Sequence, residues 1–242
     1  MSDPAGAAGI GAWGWFHLAC FGVVLPYLAV QSARRLPSMS QRPRKPHFLS
    51  ILVVQGVTVI ISLRVAQVER IALFPAVLPS PLAIGVGALM AILTIVALRP
   101  RWREAVARRE PRVHFVMPRD AVERRLWVAV SLAAGSCEEI TYRGVMYVLL
   151  FRLTGGPLVA AIAAAALFGA AHAVQGWKGI GAVALIGLSL QGLVLLAGSL
   201  YVAMAVHVLY DLFTGLTYGK LGEELGYPIE GVPPVTAGPA AS

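Results

Sequence analysis

The chain has 242 residues, of which 57% are hydrophobic and 13% charged, with a net charge of +8. Soluble domains carry about a quarter charged residues, so this composition, with its mean hydropathy of +0.73, excludes an ordinary soluble domain and points to an integral membrane protein. The cations are nearly all arginine and sit mainly in two loops between apolar runs. That is positive-inside patterning rather than a nucleic-acid surface, and no nucleic acid is expected as a partner. Richness in arginine and alanine suggests a GC-rich bacterial genome. The two cysteines, Cys20 and Cys137, lie in apolar segments with no metal or disulfide spacing, and read as small buried residues.

A membrane-spanning helix needs roughly 20 mostly apolar residues. The first candidate covers 10–32. Its arginines follow the apolar run and none precedes it, which describes a retained helix rather than a signal peptide. Trp13, Trp15 and Phe16 open it, as in an interfacial belt, and His17 among them reads as an interfacial histidine. A basic loop over 33–47 follows. The second helix is expected over 48–63, with room to extend to 72 before the prolines at 75–81. The third covers 82–98. A second basic loop, 99–119, carries seven arginines. The fourth helix begins near Leu126, contains Cys137-Glu138-Glu139-Ile140-Thr141-Tyr142-Arg143, and reaches about Phe151, either unbroken or interrupted near Gly135 or Gly144. Thr154-Gly155-Gly156-Pro157 is a turn. The last three helices are expected over 158–173, 180–197 and 200–216, with turns at 175–179 and at Gly198-Ser199, followed by a polar tail from Tyr218 that ends disordered.

The expected fold is therefore an all-α polytopic membrane helix bundle of about seven transmembrane helices. It divides into N-terminal helices with basic loops (1–118), a core (119–217) and a tail (218–242). Seven crossings put both basic loops on one side. The positive-inside rule makes that side cytoplasmic, with the C-terminus there too, the N-terminus outside, and the bacterial inner (plasma) membrane as the location.

Ionisable groups inside a bilayer cost several kcal/mol and are usually functional. Six stand at membrane depth on three helices: Glu138, Glu139 and Arg143; His172; His207 and Asp211. Glu139 and Arg143 are spaced i,i+4 with the acid first, the favoured helical pairing. His207 and Asp211 share that spacing, as do Phe168 and His172. Glu138 is rotated by about 100° from Glu139 and left without an intrahelical partner; His172 is the best candidate to supply one. Taken singly, the pairs read as glue between helices. Taken together they describe a cavity in which a carboxylate in an apolar site serves as general base, activating water with a histidine while a second polar pair stabilises an oxyanion. A zinc site made of Glu138, His172 and His207 competes with that reading, although there is no HExxH. A Cys137 nucleophile is a remoter alternative, since it needs a histidine against it.

Glu138-Glu139-x-x-x-Arg143, then Phe168-x-x-x-His172, then His207-x-x-x-Asp211, in that order on successive apolar helices, resembles the CAAX protease and bacteriocin-processing family, the Rce1-like glutamic intramembrane proteases. The resemblance covers about 120–216. It implies an intramembrane endopeptidase with no cofactor or metal, acting on a membrane-anchored protein or peptide within the lipid bilayer. It also implies that Glu138 and His172 activate water, that His207 and Asp211 form the oxyanion site, and that Glu139 and Arg143 support the first glutamate. Asp211 departs from the CAAX enzymes, which carry Asn there; an ionised Asp cannot donate to an oxyanion, so Asp211 is either protonated or orients His207. The family also contains immunity proteins, so a non-catalytic membrane binding protein is the second class. A small permease is a third, disfavoured by the absence of an inverted repeat.

Overall fold

The computed structural model describes residues 9–39, 43–76 and 78–227. Among these residues the elements are all helical: α1 (Ala12–Ala19), α2 (Leu25–Met39), α3 (Arg44–Val68), α4 (Pro81–Ala107), α5 (Ala121–Glu138), α6 (Tyr147–Thr154), α7 (Pro157–Ala171), α8 (Gly176–Ala197) and α9 (Tyr201–Glu224). π-helical stretches at Cys20–Val24 and Glu139–Met146 join α1 to α2 and α5 to α6 without a break. Short 3-10 turns occupy Pro111–Val116 and Ala173–Gln175.

The chain is a helical membrane bundle. Among the described residues four stretches are long and apolar enough to cross a bilayer: Ala12–Leu36, Arg44–Val68, Pro81–Ala107 and Ala173–Ala197. The helix α7 is apolar but shorter, and the α5–α6 unit and α9 carry the charged groups. The outward faces match lipid. On α3, Val53, Val54, Val57 and Ile60 are exposed, whereas Gln55, Thr58 and Ser62 are buried. This is the reverse of a soluble amphipathic helix, with polar groups turned inward where partners can satisfy them.

Several boundaries differ from the sequence reading. Helix α3 starts at Arg44 and stops at Val68, short of 72; Arg70, at φ 55°, turns the chain out of the helix. The second basic loop is largely structured. Helix α4 continues through Arg99, Arg101 and Arg103 to Ala107, because Trp102, Ala105 and Val106 keep an apolar stripe turned inward, with Trp102 against the rings of Tyr210 and Tyr218. The expected tail begins inside α9, which runs on to Glu224 behind a buried face of Gly215, Gly219, Leu221 and Gly222. Tyr227 then closes back, its hydroxyl donating to Val106 O at 2.9 Å. The disordered end expected for the tail falls at 228–242, outside the described residues. His17 faces the protein interior: it is fully buried, its Nε2 3.2 Å from Ser62 Oγ, which lies 2.9 Å from Thr141 Oγ1. Cys137 is buried as expected, whereas Cys20 is only partly so.

Helix α5 runs along both α3 and α9, α4 packs outside α9, and α7 lies along α8. The crossing of α5 and α9 is tight at Gly135, where an added Cβ would lie 2.7 Å from Val208 N and 3.0 Å from Val208 Cα. Close backbone approach of this kind depends on small residues, and it brings the turn after Gly135, which carries Glu138 and Glu139, against His207.

The start of α5 ties the two basic segments together. Asp120 caps the helix by accepting from Glu123 N at 2.8 Å and pairs with Lys45 at 2.8 Å. Glu123 pairs with Arg44 at 3.0 Å and accepts from Arg119 N at 2.7 Å. The hydrogen bonds from Lys45 and from the Glu123 amide hold the Asp120 carboxyl below the usual carboxylate range. Because the folded value is the lower one, the charged cap stabilises the fold at neutral pH, and that contribution is lost as pH falls through the folded value. Asp120→Ala is expected to cost about 1 kcal/mol at neutral pH. Melting curves in detergent check it: the gap between the two proteins narrows as pH falls toward about 3.

Candidate functional site

The six ionisable groups come from three places. Glu138 is the last α-helical residue of α5, and Glu139 and Arg143 lie in the π-helical stretch that follows. A π turn widens the helix, and such turns often occur at functional sites. His172 is the C-cap of α7, outside the helix that was expected to contain it. His207 and Asp211 lie on α9.

Glu139 has no exposure. Its Oε1 lies 3.1 Å from Arg143 Nη1 and 2.7 Å from His207 Nδ1. The arginine contact is ionic rather than directed, since neither Nη atom makes a hydrogen bond among the described residues. The Arg143 guanidinium also lies 4.0 Å over the Phe168 ring, a cation–π contact. Gly187 of α8 leaves room for it: a Cβ there would come within 2.8 Å of Arg143 Nη2.

Both expected i,i+4 pairs are present, Glu139 with Arg143 and, more loosely, His207 with Asp211. His207 Nε2 is 3.7 Å from Asp211 Oδ2, beyond hydrogen-bond range. The histidine is instead held through Nδ1 by Glu139, because the tight α5–α9 crossing brings that carboxylate to it. A carboxylate beside an arginine accepts, so the proton of a neutral His207 sits on Nδ1 and Nε2 faces the site as an acceptor.

Glu138 does have a close partner, and it comes from α3. Gln55 Nε2 donates to Glu138 Oε1 at 2.6 Å. The other oxygen, Oε2, is buried without a hydrogen bond among the described residues, 3.8 Å from both His172 Nε2 and His207 Nε2. His172 Nδ1 lies 2.8 Å from Phe168 O. A carbonyl only accepts, so Nδ1 carries the proton, and Nε2 of the neutral ring is an acceptor. Two acceptors, Glu138 Oε2 and His172 Nε2, therefore converge without bonding each other. A molecule with two O–H donors, such as water, satisfies both.

A cavity of about 80 Å³ adjoins the histidines, lined by His172, His207, Asp211, Tyr210, Thr94 and Gln175 and otherwise by apolar side chains such as Met90, Ile186 and Leu190; Glu138 is not among its lining residues. One water needs about 10–15 Å³, so several fit. Among the described residues no group of three or more His, Cys, Asp or Glu side chains is arranged to hold a metal ion, and no hydrogen bond joins Cys137 to a histidine.

Gln55 is the site residue that the sequence reading passed over. Its signal was present: a glutamine in the middle of the apolar run 49–63, in helical register with Thr58 and Ser62.

Residues 122–213 match the model of a protein family described as Type II CAAX prenyl endopeptidase Rce1-like. That region contains Glu138, Glu139, Arg143, Phe168, His172, His207 and Asp211, and excludes Gln55. No curated protein and no solved structure matches the chain.

Removing one partner of a buried ion pair strands the other charge, at about 3–5 kcal/mol. Arg143→Met is expected to cost that much, and adding Glu139→Gln to it should recover part of the loss, because no charge is then stranded. Thermal unfolding of the three proteins in detergent checks the order: the single Arg143 variant should melt lowest.

Proposed function

We propose, for a membrane protein whose residues 122–213 match the model of the Rce1-like family, that the chain is an intramembrane glutamic endopeptidase. Its reaction is hydrolysis of a peptide bond in a membrane-tethered protein, without a covalent intermediate. The observation that carries this reading is the pair of free acceptors, Glu138 Oε2 and His172 Nε2, set 3.8 Å apart, with the histidine lining a cavity.

In this mechanism a water donates to both acceptors, which orients a lone pair toward the substrate carbonyl. Glu138 takes a proton from the water as it attacks and delivers it to the departing amine, so the carboxylate is regenerated. His172, anchored by its Nδ1–H on Phe168 O, fixes the position of the water. His207 stands across from it with Nε2 directed at the same point; in its doubly protonated form Nε2–H donates to the oxyanion. Asp211 at 3.7 Å is too far to set the ring, which Glu139 already orients. It lines the cavity beside His207.

The apolar walls of the cavity suit an apolar or lipid-modified segment. The family description names prenylated CAAX proteins; for this chain the class proposed is a membrane-anchored protein or peptide, CAAX-type or bearing a bacterial C-terminal sorting signal. Arg44 and Lys45 contact Glu123 and Asp120, which supports one basic, cytoplasmic end containing both arginine-rich segments. In that orientation the location is the plasma membrane.

Comparing protein C-termini in a deletion strain and a complemented one should reveal a membrane-anchored protein that keeps an uncleaved segment. Glu138→Gln and His172→Ala are each expected to lower processing at least about 10²-fold, the lower end of what general acid–base groups contribute, while inserting and melting normally. Normal processing by either variant would sink the proteolytic reading. Processing should also persist in a strong chelator; loss there, restored by zinc, would favour a Glu138–His172–His207 metal site instead.

A further inference from the structure

We infer that Gln55 is a positioning residue of the Glu138 centre, so that α3, outside the family-matched region, is part of the working site. This inference rests on the hydrolytic reading above.

A glutamate carboxylate turns freely about its last torsion, whose preference is broad. In a hydrolytic site that freedom is harmful, because either oxygen could face the substrate and the plane could tilt away from the water. Glu138 has one hydrogen bond among the described residues that limits it, the 2.6 Å contact from Gln55 Nε2 to Oε1. Since a carboxylate only accepts, the amide nitrogen is the Gln55 atom that must face it. With Oε1 engaged, the plane is set and Oε2 is the oxygen left toward His172 and His207, equally distant from both.

Helix glue would explain a buried glutamine equally well, but α3 has other ties on the same face. Arg44, Gln55 and Ser62 are separated by roughly three and two helical turns and so lie on one stripe. Arg44 binds Glu123 at 3.0 Å. Ser62 lies 2.9 Å from Thr141 Oγ1 and 3.2 Å from His17 Nε2. Two of the three contacts fasten α3 to the α5–α6 unit at positions away from the reacting groups. The third, between them, ends on the carboxylate whose other oxygen is free. An amide also suits this task better than a lysine: it donates without adding a charge that would neutralise the base.

The test uses the full-length protein in detergent and a peptide spanning the bond identified from the deletion strain. Gln55→Leu is expected to lower kcat about 10- to 100-fold, the range typical of groups that orient a reacting side chain, with KM within about twofold and little change in melting. Gln55→Glu separates orientation from packing. At acid pH the introduced carboxyl is protonated and donates as the amide does; at alkaline pH it is ionised and repels Glu138. Its kcat relative to the wild type should therefore fall at least about tenfold as pH rises, while the Leu variant stays low throughout. Ser62→Ala, a tie away from the centre, should lower melting and leave kcat unchanged.

A Leu variant with normal kcat, or an activity loss that only tracks melting, would overturn the inference, as would a Glu variant with the wild-type pH profile. Melting of Gln55→Leu, Glu138→Gln and the double variant reads the contact itself: additive effects also overturn it. If the wild type cleaves nothing while that coupling persists, the hydrolytic reading has failed and positioning falls with it, leaving a structural contact.

Discussion

The geometry of the site depends on a carboxylate that has no access to solvent. Glu139 is enclosed where α5 becomes π-helical, with α9 against one side and the Arg143 guanidinium on the other. An isolated carboxylate there would be prohibitively costly. It is tolerable because one oxygen meets both an arginine and an imidazole, and because the arginine is itself covered by Phe168 and by α8 at Gly187. The constraint runs outward from that atom. Arg143 must fold back toward α7 and α8, and His207 must present Nδ1 inward and therefore Nε2 toward the cavity. Glycine is needed at 135 so that α9 comes near enough. Four helices are positioned by the requirement to satisfy one buried charge.

The same requirement explains how polar groups are distributed over the bundle. Without a hydrophobic drive between helices in lipid, association relies on close packing and polar contacts. Helix α3 shows this in one stripe, apolar toward lipid and polar inward, with Gln55 and Ser62 each ending on a residue of the α5–α6 unit. At the basic end Arg44, Glu123, Asp120 and Lys45 form a second lock. Asp120 is both the cap of α5 and the anchor of Lys45, so the chain re-enters the bundle at a fixed register, and Glu138, five turns further on, inherits it.

What the sequence made legible follows the reach of its signals. Apolar length marked the spans and their turns, and i,i+4 spacing marked the Glu139–Arg143 pair, because both are local. The link from His207 to Glu139 rather than to Asp211 spans 68 residues, and spacing along one helix cannot weigh a partner from another. The same blindness left Glu138 without a close neighbour until α3 supplied Gln55. The arginine-rich segment after 99 read as a loop because its charges dominate a hydropathy window, whereas Trp102, Ala105 and Val106 carry the helical period beneath them. His17 read as interfacial from its aromatic neighbours, and its contact with Ser62 lies inside the bundle.

Two adjacent glutamates thus end with different partners. Glu139 is the more constrained: its Oε1 is shared by Arg143 and His207, while its Oε2, like Glu138 Oε2, is buried without a hydrogen bond among the described residues. Glu138 is held by one neutral amide at one oxygen, with the other left between two imidazole nitrogens at a distance too long for direct bonding. Differing surroundings assign different roles to like side chains. The rotation of about 100° between neighbouring positions on a helix sends one carboxylate toward the arginine and the other toward Gln55 of α3 and the two histidines.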